Sequence, residues 1–150
     1  MKPEDCIMYQ MTRTLQNARK IFKSSVKETG LTPSQAIVLN FLNDTDNVTA
    51  NNLGMRSAID SATLTGILDR LEAAGLVERR NNPDDRRTIF IRLTDEGRVK
   101  SEIVNTLVSS NNREFLSGIT GKDESIFRDV LKKISNIQIP DKEDRNVKTD

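Results

Sequence analysis

The chain has 150 residues, of which 30% are charged, and its 23 basic and 22 acidic side chains leave a net charge of +1. That length allows one domain with a real core, or a smaller domain with helical appendages, and the charge balance excludes bulk attraction to nucleic acid. Having no histidine and one cysteine, the chain cannot use histidine-based acid–base chemistry, histidine-ligated metals or an intrachain disulfide, and it has too few ligands for a structural zinc site.

No apolar run approaches the ~20 residues of a membrane span, and the opening MKPEDC lacks the hydrophobic core of a signal peptide. A cytoplasmic protein with no cofactor and no membrane partner is therefore expected. Charge is distributed locally. Residues 1–28 hold six basic and three acidic side chains, residues 79–92 hold five arginines against two acids, and residues 30–55 hold only Asp44 and Asp46.

In residues 3–28 the apolar positions Ile7, Met11, Leu15, Ala18, Phe22 and Val26 form one stripe of a long amphipathic helix, with Arg13, Arg19, Lys20 and Lys23 mostly off it. Thr32, Pro33 and Gln35 then mark a helix start, with threonine as N-cap, proline in the first turn and glutamine completing a capping box. Ala36, Val38, Leu39, Phe41 and Leu42 follow, and residues 43–47 break the run. Thr49 caps a further short helix with Leu53 inward and Arg56 near its end, and residues 57–60 turn into the next.

From Asp60 onward Leu64, Ile67, Leu68 and Leu71 recur at helical spacing. Asp60 and Ser61 can cap this helix, and Gly75 can supply the left-handed residue that ends it. At roughly 100° per residue, the opposite face carries Ala62, Thr65, Gly66, Asp69 and Ala73, flanked by Thr63 and Arg70. A solvated face usually carries long lysines and glutamates, so this small, polar row suits a surface that something approaches closely. After Gly75 the period becomes alternating: residues 76–80 form one strand, and residues 87–93 a second, with Ile89, Ile91 and Leu93 on one face. Between them NNPDDR is a turn-forming cluster. A helix with a small outward face followed by an arginine-tipped ribbon is the pattern of a winged helix-turn-helix, in which the helix enters the major groove and the wing the adjacent minor groove.

Beyond the ribbon, Thr94, Asp95 and Glu96 open another helix, through Val99, Ile103, Leu107 and Val108 towards Phe115 and Ile119. Thr120 and Gly121 punctuate it. Ile126, Phe127, Val130, Leu131, Ile134 and Ile137 define a last helix, and after Pro140 the tail is almost wholly polar.

The segment DSATLTGILDRLEAAGLVERRNNPDDRRTIFIRLTDEG resembles the signature of the MarR (multiple antibiotic resistance regulator) family of bacterial transcription factors. The matching pieces are D-S-x-T-L-T, L-x-x-L-E-x-x-G-L-V-x-R, the D-x-R of Asp85, Arg86 and Arg87, and L-T-x-x-G. The resemblance implies a mainly α fold with a small β-wing: residues 1–30 as an N-terminal dimerisation helix, 31–93 as the winged core, 94–139 as C-terminal dimerisation helices, and 140–150 as a polar tail. It implies a homodimeric, ligand-responsive repressor on a pseudopalindromic operator, with helix 60–74 in the major groove and the 81–88 wing in the minor groove. A monomer whose outer helices cover the core is the alternative.

Expected DNA-binding residues are Arg56, Ser61, Ala62, Thr63, Thr65, Arg70, Arg79, Asp85, Arg86 and Arg87. Short hydroxyls suit thymine edges and phosphates, and Arg87, oriented by Asp85, suits the minor groove. The resemblance also implies a pocket for a small aromatic acid, phenol or acyl thioester, which Tyr9, Arg13 and Arg19 could line. Cys6 raises thiol-based redox sensing, as in a hydroperoxide-sensing branch, although the tyrosine expected after Leu31 and Thr32 is replaced by Pro33. A winged-helix module that binds protein is disfavoured by the arginines, and no motif supports an enzyme.

Overall fold

The computed structural model describes residues 2–82 and 88–136. In chain order the elements are α1 (Ile7–Val26), α2 (Pro33–Asp44), β1 (Val48–Thr49), α3 (Ala50–Ser57), α4 (Ser61–Ala73), β2 (Val77–Asn81), β3 (Ile89–Leu93), α5 (Asp95–Phe115) and α6 (Gly121–Ser135). This is the expected mainly helical fold with a small sheet. The described residues up to Phe115 form one compact unit and those from Leu116 to Asn136 a second.

Local chemistry sets the boundaries. A single helix over residues 3–28 is expected, but α1 is shorter, flanked by 3-10 turns at Pro3–Asp5 and Lys27–Thr29. The capping box of α2 is complete: the Gln35 amide donates to Thr32 Oγ1 at 3.3 Å and the Thr32 amide to Gln35 Oε1 at 2.8 Å. Thr49 and Asp60 cap α3 and α4 by accepting the Asn52 and Thr63 amides. At the far end of α4, Gly75 takes φ +70° while its amide bonds the Glu72 carbonyl and the Leu76 amide bonds that of Leu71, both at 2.9 Å. These paired bonds occupy carbonyls that the helix leaves open and turn the chain sharply into β2.

The sheet order is β1-β3-β2, all antiparallel, with Val77 opposite Leu93, Arg79 opposite Ile91 and Val48 opposite Ile91 on the other side. The two-residue β1 is not anticipated from the sequence. One buried cluster joins Val38, Leu39 and Leu42 of α2, Leu53 of α3, Leu64, Ile67, Leu68 and Leu71 of α4, and Leu76, Val77, Ile91 and Leu93. Each fully buried leucine contributes about 2 kcal/mol, which fixes α4 against the bundle and leaves its other side outward. A second cluster sets Val26 of α1 and Ala36 of α2 against Val104 of α5. The start of α5 is pinned by polar contacts: Asp46 accepts the Leu93 amide at 2.9 Å and pairs with Arg98 at 2.8 Å, and Thr94 donates to the Gly75 carbonyl at 2.6 Å.

Large apolar side chains stay exposed along the first half of α1 (Ile7, Met8, Met11, Leu15) and at Val99 and Ile103 of α5. In the second unit α6, capped by Thr120, exposes Ile126, Val130 and Ile134 at helical spacing. Among the described residues no helix is long and apolar enough to cross a membrane.

Candidate nucleic-acid interface

The outward face of α4 follows from its inward one. With Leu64, Ile67, Leu68 and Leu71 buried, Ser61, Ala62, Thr63, Thr65, Asp69, Arg70 and Ala73 are all exposed and Gly66 half-buried. The Thr65 hydroxyl donates to the Ser61 carbonyl at 2.8 Å, which keeps it close to the helix and lowers its profile. Beside the start of α4, Gly54, Met55, Ala58, Ile59, Ser61 and Thr65 line part of an open cleft of about 480 Å³. Ala58 makes the turn from α3 into α4 in the left-handed conformation, at φ +53°.

The Thr63 amide, bonded to Asp60 Oδ1 at 2.9 Å, holds that carboxyl below its usual range, and the Arg56 guanidinium does the same to Asp44. A carboxyl depressed in the folded state stabilises it fully above its unfolded value, near pH 4. That contribution is lost as pH falls through the folded value. We therefore expect helicity followed by circular dichroism to fall on acidification below about pH 4, and the acid limb to be shallower for Asp60→Asn. An identical acid limb in the variant would show that the cap carries no part of the transition.

The structure spreads the predicted cations over different tasks. Arg70 is exposed and without an ion pair among the described residues. Arg56 lies with its guanidinium 5.6 Å from the Phe41 ring centre and pairs with Asp44. Arg79 pairs with Asp69 at 2.7 Å and with Glu72, which raises its pKa, chiefly through the hydrogen bond to Asp69. Asp85, Arg86 and Arg87 lie outside the described residues. Sequence reasoning missed Asp44, Asp69 and Glu72 as arginine partners. The signal for Glu72 was there, since Asp69 and Glu72 share a helix face three residues apart and Arg79 has the parity of the inward strand positions.

On α1, Tyr9 and Arg13 are neighbours one turn apart, whereas Arg19 sits about 120° round the helix from Arg13, so the three are not brought together. Arg13 lines an open cleft of about 620 Å³ with Gln10, Thr14, Gln16, Asn17 and Lys20. Cys6 is half-buried and is the N-cap residue of α1. Among the described residues no cluster of acids and cysteine could hold a metal ion.

Comparison with known proteins gives this geometry a setting. A model described as the MarR family matches residues 29–88. The uncharacterised HTH-type transcriptional regulator YdgJ of Bacillus subtilis is 31% identical over 131 residues, covering 87% of this chain and 77% of YdgJ. The crystal structure of a mutant MarR from E. coli in complex with operator DNA superposes with a TM-score of 0.79 at 26% identity, over 85% of this chain and 92% of that one. BpsR of Bordetella bronchiseptica, whose DNA binding is regulated by 6-hydroxynicotinic acid, superposes with a TM-score of 0.85 at 25% identity, over 92% of this chain and 99% of its own. A winged core built on the matched segment, and a likeness to YdgJ that spans most of both chains, make this protein a member of the MarR family: a DNA-binding transcriptional regulator and not an enzyme.

Proposed function

We propose that the chain acts as a homodimeric, ligand-responsive repressor, reading a pseudopalindromic operator with helix 60–74 in the major groove and the ribbon 81–88 in the adjacent minor groove. The observation that carries this reading is the exposed, short-chained face of α4, held outward by four buried aliphatic residues. Ser61, Thr63 and Thr65 offer hydroxyls to base edges and phosphates, Ala62 and Gly66 leave room for the groove wall, and Arg70 meets a phosphate. In the ribbon Arg87, oriented by Asp85, takes the minor groove and Arg86 a phosphate. Arg79 is held against α4 by Asp69 and Glu72, and Arg56 is engaged with Asp44 and Phe41 of α2.

Twofold assembly is supported by the apolar side chains that α1, α5 and α6 leave uncovered in a single chain. Two reading helices then meet half-sites about 34 Å apart. The effector is a small aromatic acid, phenol or acyl thioester, with Arg13 as carboxylate partner and Tyr9 beside it. Likeness to BpsR, a regulator answering to an aromatic acid, favours the first of these.

The test is selection of duplexes from a random pool by the full chain, followed by salt titration and determination of mass in solution. A twofold-symmetric consensus, twice the chain mass and an affinity falling with salt by a log–log slope of about −0.9 per neutralised phosphate are expected. No enriched duplex, or a single chain at micromolar concentration, would overturn the reading. Cys6, half-buried at the N-cap of α1, supports a second reading, thiol-based redox control. That reading requires that Cys6→Ser protein stay on DNA when hydroperoxide releases the wild type.

A further inference from the structure

The base of the β-ribbon poses a problem of residue placement. Strand alternation puts Val77, Arg79 and Asn81 on one face of β2, and the register sets them opposite Leu93, Ile91 and Ile89. Val77, Ile91 and Leu93 are core residues, so Arg79 is on the inward face, turned towards the helices and away from solvent. An unpaired guanidinium there would be costly. Its answer is α4: Nη2 bonds Asp69 Oδ1 at 2.7 Å and Nη1 bonds Glu72 Oε2, two carboxylates one turn apart on a single helix edge. Arg79 keeps only 29% of its side-chain surface exposed.

We propose that Arg79, clasped by Asp69 and Glu72, is a positioning residue for operator recognition: a strut that fixes the angle between the reading helix and the ribbon. The proposal rests on the DNA reading above. Hydrophobic backing ends near Ile91, since Ile89, two residues further along the same face, is 46% exposed. Beyond that point two strands alone extend outward, and a two-stranded ribbon has little stiffness of its own. From Arg79 to Asn82 the strand runs about 10 Å at ~3.3 Å per residue. A tilt of about 10° over that length moves its end by roughly 2 Å, enough to break a hydrogen bond. The ion pairs sit where such a tilt would start. Helix and ribbon then approach two grooves as one body.

Electrostatics gives the proposal a distinctive sign. Asp69 lies on the exposed face that meets the phosphates, and removing negative charge near DNA ordinarily raises affinity. If the carboxylates hold the strut, their removal lowers recognition instead. The experiment compares wild type, Arg79→Met and Asp69→Asn/Glu72→Gln. Binding is measured to the duplex that wild type selects from a random pool and to a random-sequence duplex, at several salt concentrations. Hydrogen exchange of the Arg80 to Asn82 amides is measured in the free proteins.

Both variants are expected to lose about tenfold or more of the preference for selected over random duplex. Their salt slope should stay unchanged, and the ribbon amides should exchange at least tenfold faster. Weakening of both duplexes alike by Arg79→Met, with the slope shallower by about one, would overturn the strut and make Arg79 a phosphate contact. A uniform gain of affinity in the carboxylate variant, or unaltered ribbon exchange in both, would overturn it too. Exchange is read without DNA, so it judges the strut even where selection yields no duplex, an outcome that sinks the DNA reading separately. Should Arg79→Met fail to fold, the carboxylate variant, whose changes are isosteric, decides the matter.

Discussion

Replacing Gly97 with alanine is expected to lower the melting temperature by on the order of 6 °C, although alanine is the better helix former. A Cβ built at Gly97 falls 1.8 Å from the Leu76 carbonyl oxygen and 2.8 Å from its carbon. Both are backbone atoms, and neither can swing aside. The Leu76 carbonyl accepts the Thr94 amide at 3.2 Å, while the Gly97 amide donates to Thr94 Oγ1 at 2.9 Å, so the start of α5 and the turn that follows α4 are held on both sides of the contact. Overpacking of this kind costs about 3 kcal/mol, against a helix-propensity gain of at most ~1 kcal/mol. The clash wins by about 2 kcal/mol. A thermal melt of Gly97→Ala at fixed protein concentration checks it, and an unchanged midpoint would mean that α5 can shift off Leu76 freely.

At Gly66 we expect opposite signs in two measurements. A Cβ there meets nothing within 4 Å, and the residue lies inside α4, where glycine costs up to ~1 kcal/mol relative to alanine. Folding alone gives no reason for a glycine at this site. Close approach of a groove wall does. Gly66→Glu should therefore melt at or above the wild-type temperature yet lose at least 100-fold of its affinity for the selected duplex, since a carboxylate brought against phosphates costs several kcal/mol. Gly66→Ala should show the same pair of signs in milder form. Binding by Gly66→Glu as tight as wild type would remove the middle of α4 from the DNA surface, while leaving the fold untouched.

What the sequence discloses here is mostly local. Caps at Thr32, Thr49 and Asp60 and the left-handed Gly75 are short-range chemistry, and the boundaries they mark lie within a residue or two of the observed ones. Strand β1 could not be read that way. Its two residues are strand only because Ile91 and Phe90, more than forty positions later, bond to them. Asp46 is similar, since its partners Leu93 and Arg98 are distant in the chain. The apolar stripe of α1 looks continuous as sequence, yet in space it divides: Phe22 and Val26 pack against α2 and α5 within the chain, while Ile7, Met11 and Leu15 stay open. Periodicity announces a buried face without saying which molecule buries it. Counting arginines in the hairpin hid a distinction too, because alternation turns Arg79 inward while Arg80, paired with Glu78 at 2.8 Å, stays exposed.

The middle place of β3 in its sheet has an evolutionary corollary. Its alignment with both neighbours is set by Val77, Leu93, Ile91 and Val48, residues anchored in or against the aliphatic cluster. No slip can occur there without turning core side chains to water. Length and charge at the hairpin's end are thus separated from the pairing that holds the sheet together. On the proposed reading of the ribbon as a minor-groove contact, a lineage could lengthen, shorten or recharge that end, and so retune which promoters it recognises, while inheriting a scaffold that does not register the change.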